Sequence, residues 1–403
     1  MKFFHIGDLH IGKQLHQYNL KEDQEYILNQ ILEYARQEKP DAVLIAGDIY
    51  DRAVPSAEAV EIFNHFLTEL SELSHKTEIM MISGNHDSAE RLEFASSILE
   101  KERIHIAGIV PKKKNEFIKK VVLKDSYGQV NFYLFPFIKP AYVRNLLKEE
   151  ELEKRQKRVD GKEDDLDNSE DEKGFTYDQA VQAMIAREFI NEQERNVILS
   201  HQFYLWQNQE IERSLSEIIT VGNIDSVHAD CLEKFEYAAL GHIHKPVKVG
   251  KDWIRYCGSM LPYSISEAEQ EKGILMVELL EKGKKVSIKT LPLIPLRKVR
   301  KLEGNLEDIL KEEKSSDFVS ILLKDDEELL EVRQKLLEVF DHILEIRLHN
   351  SYIRKIYQEE EITLKELKPL EIFKQFYQEI LTKEISQEQE AILKEILEKC
   401  EDK

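Results

Sequence analysis

Five short clusters of acids, amides and imidazoles stand out in the first 244 residues: Asp8-Leu9-His10, Gly47-Asp48-Ile49-Tyr50-Asp51, Gly84-Asn85-His86-Asp87, Ser200-His201 and Gly241-His242-Ile243-His244. In an extended stretch, residues two apart project to the same side. Asp8 with His10 can therefore converge on one ion, and His242 with His244 can reach neighbouring ions. A carboxylate has two oxygens and can bridge two cations, which an imidazole cannot, so Asp48, placed after a glycine that permits close approach, is the bridging candidate. Asn85 offers a hard, neutral carbonyl oxygen. The adjacent His86 is left for chemistry, its imidazole able to point where a scissile phosphate would sit. The metal-ligand set read from these clusters is Asp8, His10, Asp48, Asn85, His201, His242 and His244, with His86 as the catalytic group. Asp51 either supports the site through a hydrogen bond or only shapes the loop.

Taken singly, each cluster has an ordinary explanation. A strand-end Asp and His can cap a loop, Gly-Asn-His-Asp can be a turn, and a lone His201 can be a satisfied core residue. Their company changes the reading: five of the thirteen histidines stand at the ends of apolar runs together with the acids and the amide. Imidazole and oxygen ligands without thiolate suit Mn²⁺, Fe²⁺ or Zn²⁺ better than calcium, and manganese is the first choice. Two such ions roughly 4 Å apart would acidify a shared water and neutralise phosphate oxygens, with His86 as acid or hydrogen-bond donor to the leaving oxygen.

The elements that must position these groups follow from periodicity. KFFHIG is a short apolar run, Glu25 to Gln37 has a helical apolar period, and DAVLIAGD is an apolar run that ends in glycine and aspartate. The same alternation continues with a helix over Ala57 to Leu73 and a strand at EIMMIS, and a further helix is expected at roughly Arg91 to Lys101. Strand-like runs recur at VNFYLFPF, NVILSHQF, YAALGHIH, WIRYCGSM and GILMVELL, the later ones expected to form the second half of a two-layered sheet core flanked by helices. Near-continuous apolar strands indicate a layered α/β domain whose polar strand exits collect along one edge.

Composition bounds the rest. The chain has 403 residues with 42% hydrophobic content, enough for a large domain and a smaller one. Cys231, Cys257 and Cys400 are widely separated and suggest neither a disulfide framework nor a thiolate metal site. MKFFHIGDLH interrupts any leader-like apolar stretch, and no segment is apolar enough to span a bilayer, so a cytoplasmic protein with no membrane partner is expected. A formal charge of −20 argues against a generally basic nucleic-acid coat, although bound cations would supply local positive charge. Any DNA contact must be local, with Lys13, Arg52, Arg91 and Lys139 as candidates for the phosphate backbone.

The expected organisation is a catalytic domain over 1–292, a charged surface insertion over 148–173 within it, a small α+β domain over 297–358 and a helical segment over 363–400. Within the last, Leu370, Phe373, Phe376, Tyr377 and Ile380 form an apolar stripe that must pack on something, a partner helix being one option.

The five clusters, in this order, are the pattern of the calcineurin-like metallophosphoesterases. GDLHIGKQL, GDIYDRAVPS, SGNHDSAERL, and GHIHKP followed by RYCGSMLPYSISEAEQEKG resemble the bacterial DNA-nuclease branch of that superfamily. The resemblance implies an α/β fold with a four-layer core of two central sheets flanked by helices, a small α+β capping domain and C-terminal helices. It implies that Asp8, His10, Asp48 and His244 hold one metal, that Asp48, Asn85, His201 and His242 hold the other, and that His86 assists the leaving group. It also implies exonuclease and endonuclease action on DNA and a homodimer within a heterotetramer, joined to a coiled-coil ATPase partner. This chain has no glycine-rich phosphate loop of its own. The helices at Ala57 to Leu73 and Arg91 to Lys101 are dimer candidates. Two features depart from the pattern: the acidic stretch from Asp164 to Glu172, and Asp51, where archaeal and eukaryotic relatives have histidine. A phosphatase or cyclic-nucleotide phosphodiesterase on the same centre, and a non-enzymatic scaffold of the same fold, are the competing readings.

Overall fold

In a computed structural model of the chain, residues 1–73, 76–158, 175–207, 225–325 and 332–348 are described, with scattered residues between 209 and 217 and between 370 and 393. The acidic stretch from Asp164 to Glu172 and the C-terminal residues Phe373, Phe376, Tyr377 and Ile380 lie outside the described residues.

The apolar runs pair as two six-stranded sheets. In the first, the order is Ser287–Pro292, Gly273–Glu278, Lys2–Ile6, Ala42–Ile45, Glu78–Ile82, Ile104–Ala107, and the last four strands run parallel. In the second, it is Val247–Lys248, Ile254–Tyr256, Tyr237–Gly241, Arg195–His201, Gly128–Phe135, Lys119–Asp125, with the four middle strands parallel. Parallel strands must be covered on both faces, which explains why these runs are apolar throughout rather than alternating.

Burial partitions the side chains accordingly. Phe3, Leu44, Met80 and Ile82 of the first sheet share a fully buried core with Phe132, Leu134, Val197 and Leu199 of the second. Their sequence neighbours face outward: Phe4, Val43 and Ile45 pack beneath helices Lys21–Glu38 and Ala57–Ser71. Tyr133 and Ile198 pack beneath helices Pro140–Arg158 and Tyr177–Ala186 on the opposite side. The result is the expected α/β arrangement of helices, sheet, sheet and helices. Burying a Leu or Phe side chain contributes about 1.5–3 kcal/mol, so the sandwich interior holds the strand ends firmly in place.

Two expectations need correction. GILMVELL does not join the second sheet: Gly273–Glu278 returns to the first, antiparallel to Lys2–Ile6 with His5 opposite Leu275. Its apolar content satisfies either sheet, and only the pairing distinguishes them. The helix expected over Arg91 to Lys101 is broken into Ala89–Leu92, Ser96–Leu99 and a 3₁₀ turn at Glu100–Glu102. Ala95 sits at φ 61°. The Glu93 carboxylate accepts from the Gly108 amide at 2.6 Å and the Ser96 hydroxyl at 3.1 Å, tying this segment to the end of the neighbouring strand instead of continuing the helix.

The chain divides into two compact units, the first comprising 1–301, 315–320 and 340–344 and the second the intervening pieces and the chain from 345. The second contains helices Leu306–Ile309 and Val332–Leu337. The strands Val299–Gly304, Ser315–Leu323 and Phe340–Leu348 form a three-stranded sheet in that order, the α+β alternation expected after Arg297. Among the described residues, no helix is long and apolar enough to cross a membrane.

Candidate metal centre

The parallel strands of both sheets end at one edge, and their exits are laced together. The amides of Asp8, His10 and Ile11 donate to the carbonyls of Gly47, Asp48 and Ile49 at 3.1, 2.9 and 2.9 Å. The third loop is tied in by Asp87, whose carboxylate accepts from the amides of Ile49, Tyr50 and Gly84 at 3.1, 2.9 and 2.9 Å. Glycines clear the space. A Cβ on Gly84 would lie 2.1 Å from Asp48 Oδ1, and one on Gly241 would lie 1.9 Å from the Ala46 carbonyl oxygen.

Several functional residues sit in backbone conformations that L-residues avoid. Asp8, His10 and Asp48 have φ of 50°, 44° and 48°, and His242 has φ of 105°. Each such residue costs on the order of 1 kcal/mol or more and persists only where the surroundings over-determine it. Sequence reading missed this, although the Gly-Asp and Gly-His pairs at strand exits mark where the chain turns sharply.

All seven predicted ligands meet here. His10 Nε2 and His244 Nε2 face each other at 3.0 Å, and His10 Nε2 lies 3.6 Å from Asp48 Oδ2. On the other side of Asp48, Oδ2 is 3.3 Å from His201 Nε2, which is 3.1 Å from Asn85 Oδ1, which in turn is 2.9 Å from His242 Nδ1. Ligand atoms of Asp8, His10 and His244 lie within 4.8 Å of one another, as do those of Asp8, Asp48 and His201. Asp8 thus stands between the two groups, beside Asp48. Neighbouring donors on an ion with bonds of about 2.1 Å are separated by about 3.0–3.4 Å, so these N/O separations fit first-row divalent cations. The donor set is imidazole and oxygen only; among the described residues, no cysteine belongs to either group.

Charge among the protein groups of the cluster is concentrated on one pair. Burial opposes the charge of both Asp48 and His201, but their mutual attraction outweighs it. It holds the Asp48 carboxyl well below the usual range and raises His201 to about 9. Burial dominates at the neighbours, raising Asp8 to about 7 and lowering His10 to about 4. A cationic imidazole therefore balances Asp48 where a metal would otherwise do so.

The groups behind these side chains fix their orientation. His201 Nδ1 donates to the Ala46 carbonyl at 2.7 Å, leaving Nε2 to face Asp48 and Asn85. The His86 amide donates to Asp48 Oδ1 at 2.8 Å, and His86 Nδ1 donates to the Asp51 carbonyl at 2.9 Å. The Asp51 carboxylate faces His10 Nδ1 across 3.5 Å and takes Lys13 Nζ at 2.7 Å. Lys13 is thereby committed to Asp51, whereas Arg52, Arg91 and Lys139 are exposed. The fully buried Glu267 and its ion-pair partner Lys272, 2.7 Å away, stand behind His244. Both lie inside the RYCGSMLPYSISEAEQEKG stretch, which carried the resemblance without any role being read for them.

Comparison with known proteins places this geometry in context. The profile described as calcineurin-like phosphoesterase matches residues 1–246, and one described as the type 5 capsule protein repressor C-terminal domain matches residues 295–380. The chain is 29% identical over 403 residues to the SbcD subunit of nuclease SbcCD from Staphylococcus saprophyticus, covering 98% of each chain. It is likewise 29% identical over 404 residues to the protein of that name from Staphylococcus epidermidis, again covering 98% of each. Among solved structures it is similar to GAP50, the anchor in the inner membrane complex of Plasmodium, with TM-score 0.39 and 10% identity over 72% of this chain and 84% of that one.

Proposed function

Because this chain belongs to the calcineurin-like phosphoesterases and is related to the SbcD nuclease subunits, we propose that it is a two-metal nuclease that hydrolyses phosphodiester bonds in DNA. The observation that carries the reading is the placement of Asp48 between two half-sites, His10 and His244 on one side and His201, Asn85 and His242 on the other, with donor separations suited to metal bonds. Asp8, His10, Asp48 and His244 hold one ion; Asp48, Asn85, His201 and His242 hold the other. Mn²⁺ is the preferred metal.

When bound, two divalent cations supply Lewis acidity, acidifying water and offsetting charge on the phosphate oxygens. The chain supplies the geometry. Asp48 is fixed by the His86 amide on Oδ1, so that Oδ2 faces both half-sites. His86, locked through Nδ1 to the Asp51 carbonyl, keeps Nε2 for the substrate. With Nδ1–H spent on that carbonyl, Nε2 donates to the departing sugar oxygen from the doubly protonated imidazolium, which gives up its Nε2 proton there. Burial of Asp8, His10 and His201 excludes bulk water and strengthens every interaction with the transition state.

The nuclease acts as a double-strand exonuclease and a single-strand or hairpin endonuclease in DNA end processing. It works as a homodimer in a heterotetramer with an SbcC-like coiled-coil ATPase. Arg52, Arg91 and Lys139 contact the DNA backbone. Phe94 and Ile98, 81% and 67% exposed on the broken helical segment, give a second copy an apolar surface. The C-terminal segment from residue 363 receives the ATPase. End-labelled duplex and hairpin DNA, digested with Mn²⁺, after chelation, and with and without the ATPase, provide the test. Cleavage abolished by chelation and restored by Mn²⁺ is expected; cleavage of monoesters but of no DNA substrate would overturn the assignment.

A further inference from the structure

His244 is held at every polar atom but one. Its amide donates to Glu217 Oε1 at 2.8 Å, and its carbonyl accepts from Lys272 Nζ at 2.9 Å and from the Ser259 amide at 3.1 Å. Its Nδ1 lies 2.8 Å from Ser216 Oγ and 3.4 Å from Glu267 Oε1. The remaining atom, Nε2, faces His10 Nε2 at 3.0 Å.

The direction of the Ser216 proton decides what His244 can be. Ser216 Oγ is 2.5 Å from Glu267 Oε1, and an ionised carboxylate only accepts. Glu267 is kept in that form by Lys272, with Nζ 2.7 Å from Oε2, and the Ser264 hydroxyl donates to it as well at 3.0 Å. The single Ser216 proton is thus spent on Glu267, so Oγ is left as an acceptor and Nδ1 of His244 must be the donor. On the facing ring, His10 Nδ1 lies 3.5 Å from an Asp51 carboxylate oxygen but makes no hydrogen bond. His244 Nε2 then presents a lone pair toward His10 Nε2 at 3.0 Å, the direction in which a shared cation would be held.

We propose that Ser216 is a positioning residue for the metal centre: by relaying His244 Nδ1–H to the buried Glu267–Lys272 pair, it fixes the one tautomer whose Nε2 can bind metal. Ser216 touches neither substrate nor metal, and it lies 28 residues from His244 in a segment that shares none of the five clusters. Lys272 has a related duty, gripping the His244 carbonyl while keeping Glu267 charged. The inference rests on the two-metal reading above and extends it to the residue that selects the ligand atom.

The test is calorimetric titration of the chelated, full-length protein with Mn²⁺, alongside nitrogen NMR of the protein labelled at histidine. The parent is expected to bind two ions, with His244 protonated on Nδ1 before metal is added. Ser216→Ala should weaken one of the two sites by about 10–100-fold and leave the other unchanged. It should also give His244 a mixed tautomer signal, and Ser216→Thr, which keeps the hydroxyl, should restore both. Unchanged binding in Ser216→Ala, with His244→Ala still losing one ion, would overturn the relay and leave the two-metal reading intact. A His244→Ala protein that binds two ions as the parent does would overturn that reading itself. Should the alanine variant fail to fold, the parent spectrum still decides: His244 protonated on Nε2 in the metal-free protein refutes the proposal.

Discussion

Asp51 reaches His86 through its main chain, its carbonyl oxygen 2.9 Å from His86 Nδ1, while its carboxylate lies beside His10 and Lys13 and within 4.8 Å of a His86 ring nitrogen. One residue thus meets a candidate metal ligand with its side chain and holds the proposed leaving-group donor with its main chain, two different contacts. Substituting the side chain severs only one of them. Asp51→Asn should weaken metal binding by about 10-fold or more through His10 while leaving turnover at saturating Mn²⁺ nearly unchanged. His86→Ala should do the reverse, lowering kcat by about 10²–10⁴-fold with metal affinity intact. Metal titration paired with a nuclease assay on both variants separates the routes.

Replacing Asp48 and replacing His201 should differ in metal stoichiometry. Asp48 Oδ2 lies 3.6 Å from His10 Nε2 and 3.3 Å from His201 Nε2, so Asp48→Ala removes a ligand from both half-sites, and His201→Ala from one. Elemental analysis of the purified variants is expected to count zero and one tightly held ion against two in the parent.

Metal binding should expel a proton. The His201 imidazole, raised to about 9 chiefly by Asp48 against the opposing effect of burial, keeps its proton at pH 8, whereas a ligand imidazole must be neutral. About one proton per chain is therefore released on Mn²⁺ binding at pH 8, and affinity climbs with pH until about 9. Because the folded value lies above the unfolded one near 6.5, the same ion pair stabilises the metal-free fold fully below about pH 6.5. That contribution is lost as pH rises through about 9. Titration in buffers of different ionisation enthalpy measures the proton count directly.

His5 predicts an acid-sensitive fold. Its ring is fully buried, with Nδ1 2.9 Å from the Tyr237 hydroxyl and Nε2 3.2 Å from the Leu240 carbonyl, and burial lowers it to about 3. A folded value below the unfolded one means its contribution is complete above about pH 6.5 and is lost as pH falls toward 3. Between pH 6.5 and 5 the chelated parent should lose about 2 kcal/mol from this group alone. His5→Gln, which cannot protonate there, should lack that part of the slope in urea unfolding at the two pH values. Equal slopes would remove His5 as the cause.

The clustering of these residues was legible because carboxylate, amide and imidazole groups at the ends of apolar runs have few other reasons to be there. Asp8, Asp48 and Asn85 leave the first sheet and His201 and His242 the second, as periodicity suggested. The groups behind them were not legible. Ser216, Glu217 and Glu267 meet His244 only through tertiary folding, across separations of 23–28 residues that no local pattern marks. Asp87 looked like part of a turn, yet its carboxylate gathers three amides from two loops. Lys13 read as a free cation near the site, because sequence does not show that Asp51 already holds it. The pairing of Gly273–Glu278 with Lys2–Ile6 was hidden for a simpler reason: an apolar strand buried on both faces carries no label for its neighbour.

The left-handed residues at the working edge set durability against usefulness. Asp8, His10 and Asp48 occupy backbone shapes that glycine would adopt with less strain, but glycine at Asp48 would leave the buried His201 without its partner and glycine at Asp8 would free the His242 amide, so only at His10 does the exchange relax a loop without breaking such a bond. Any programme that selects variants of this enzyme for heat resistance alone would be drawn toward His10 and would trade that ring for a relaxed turn.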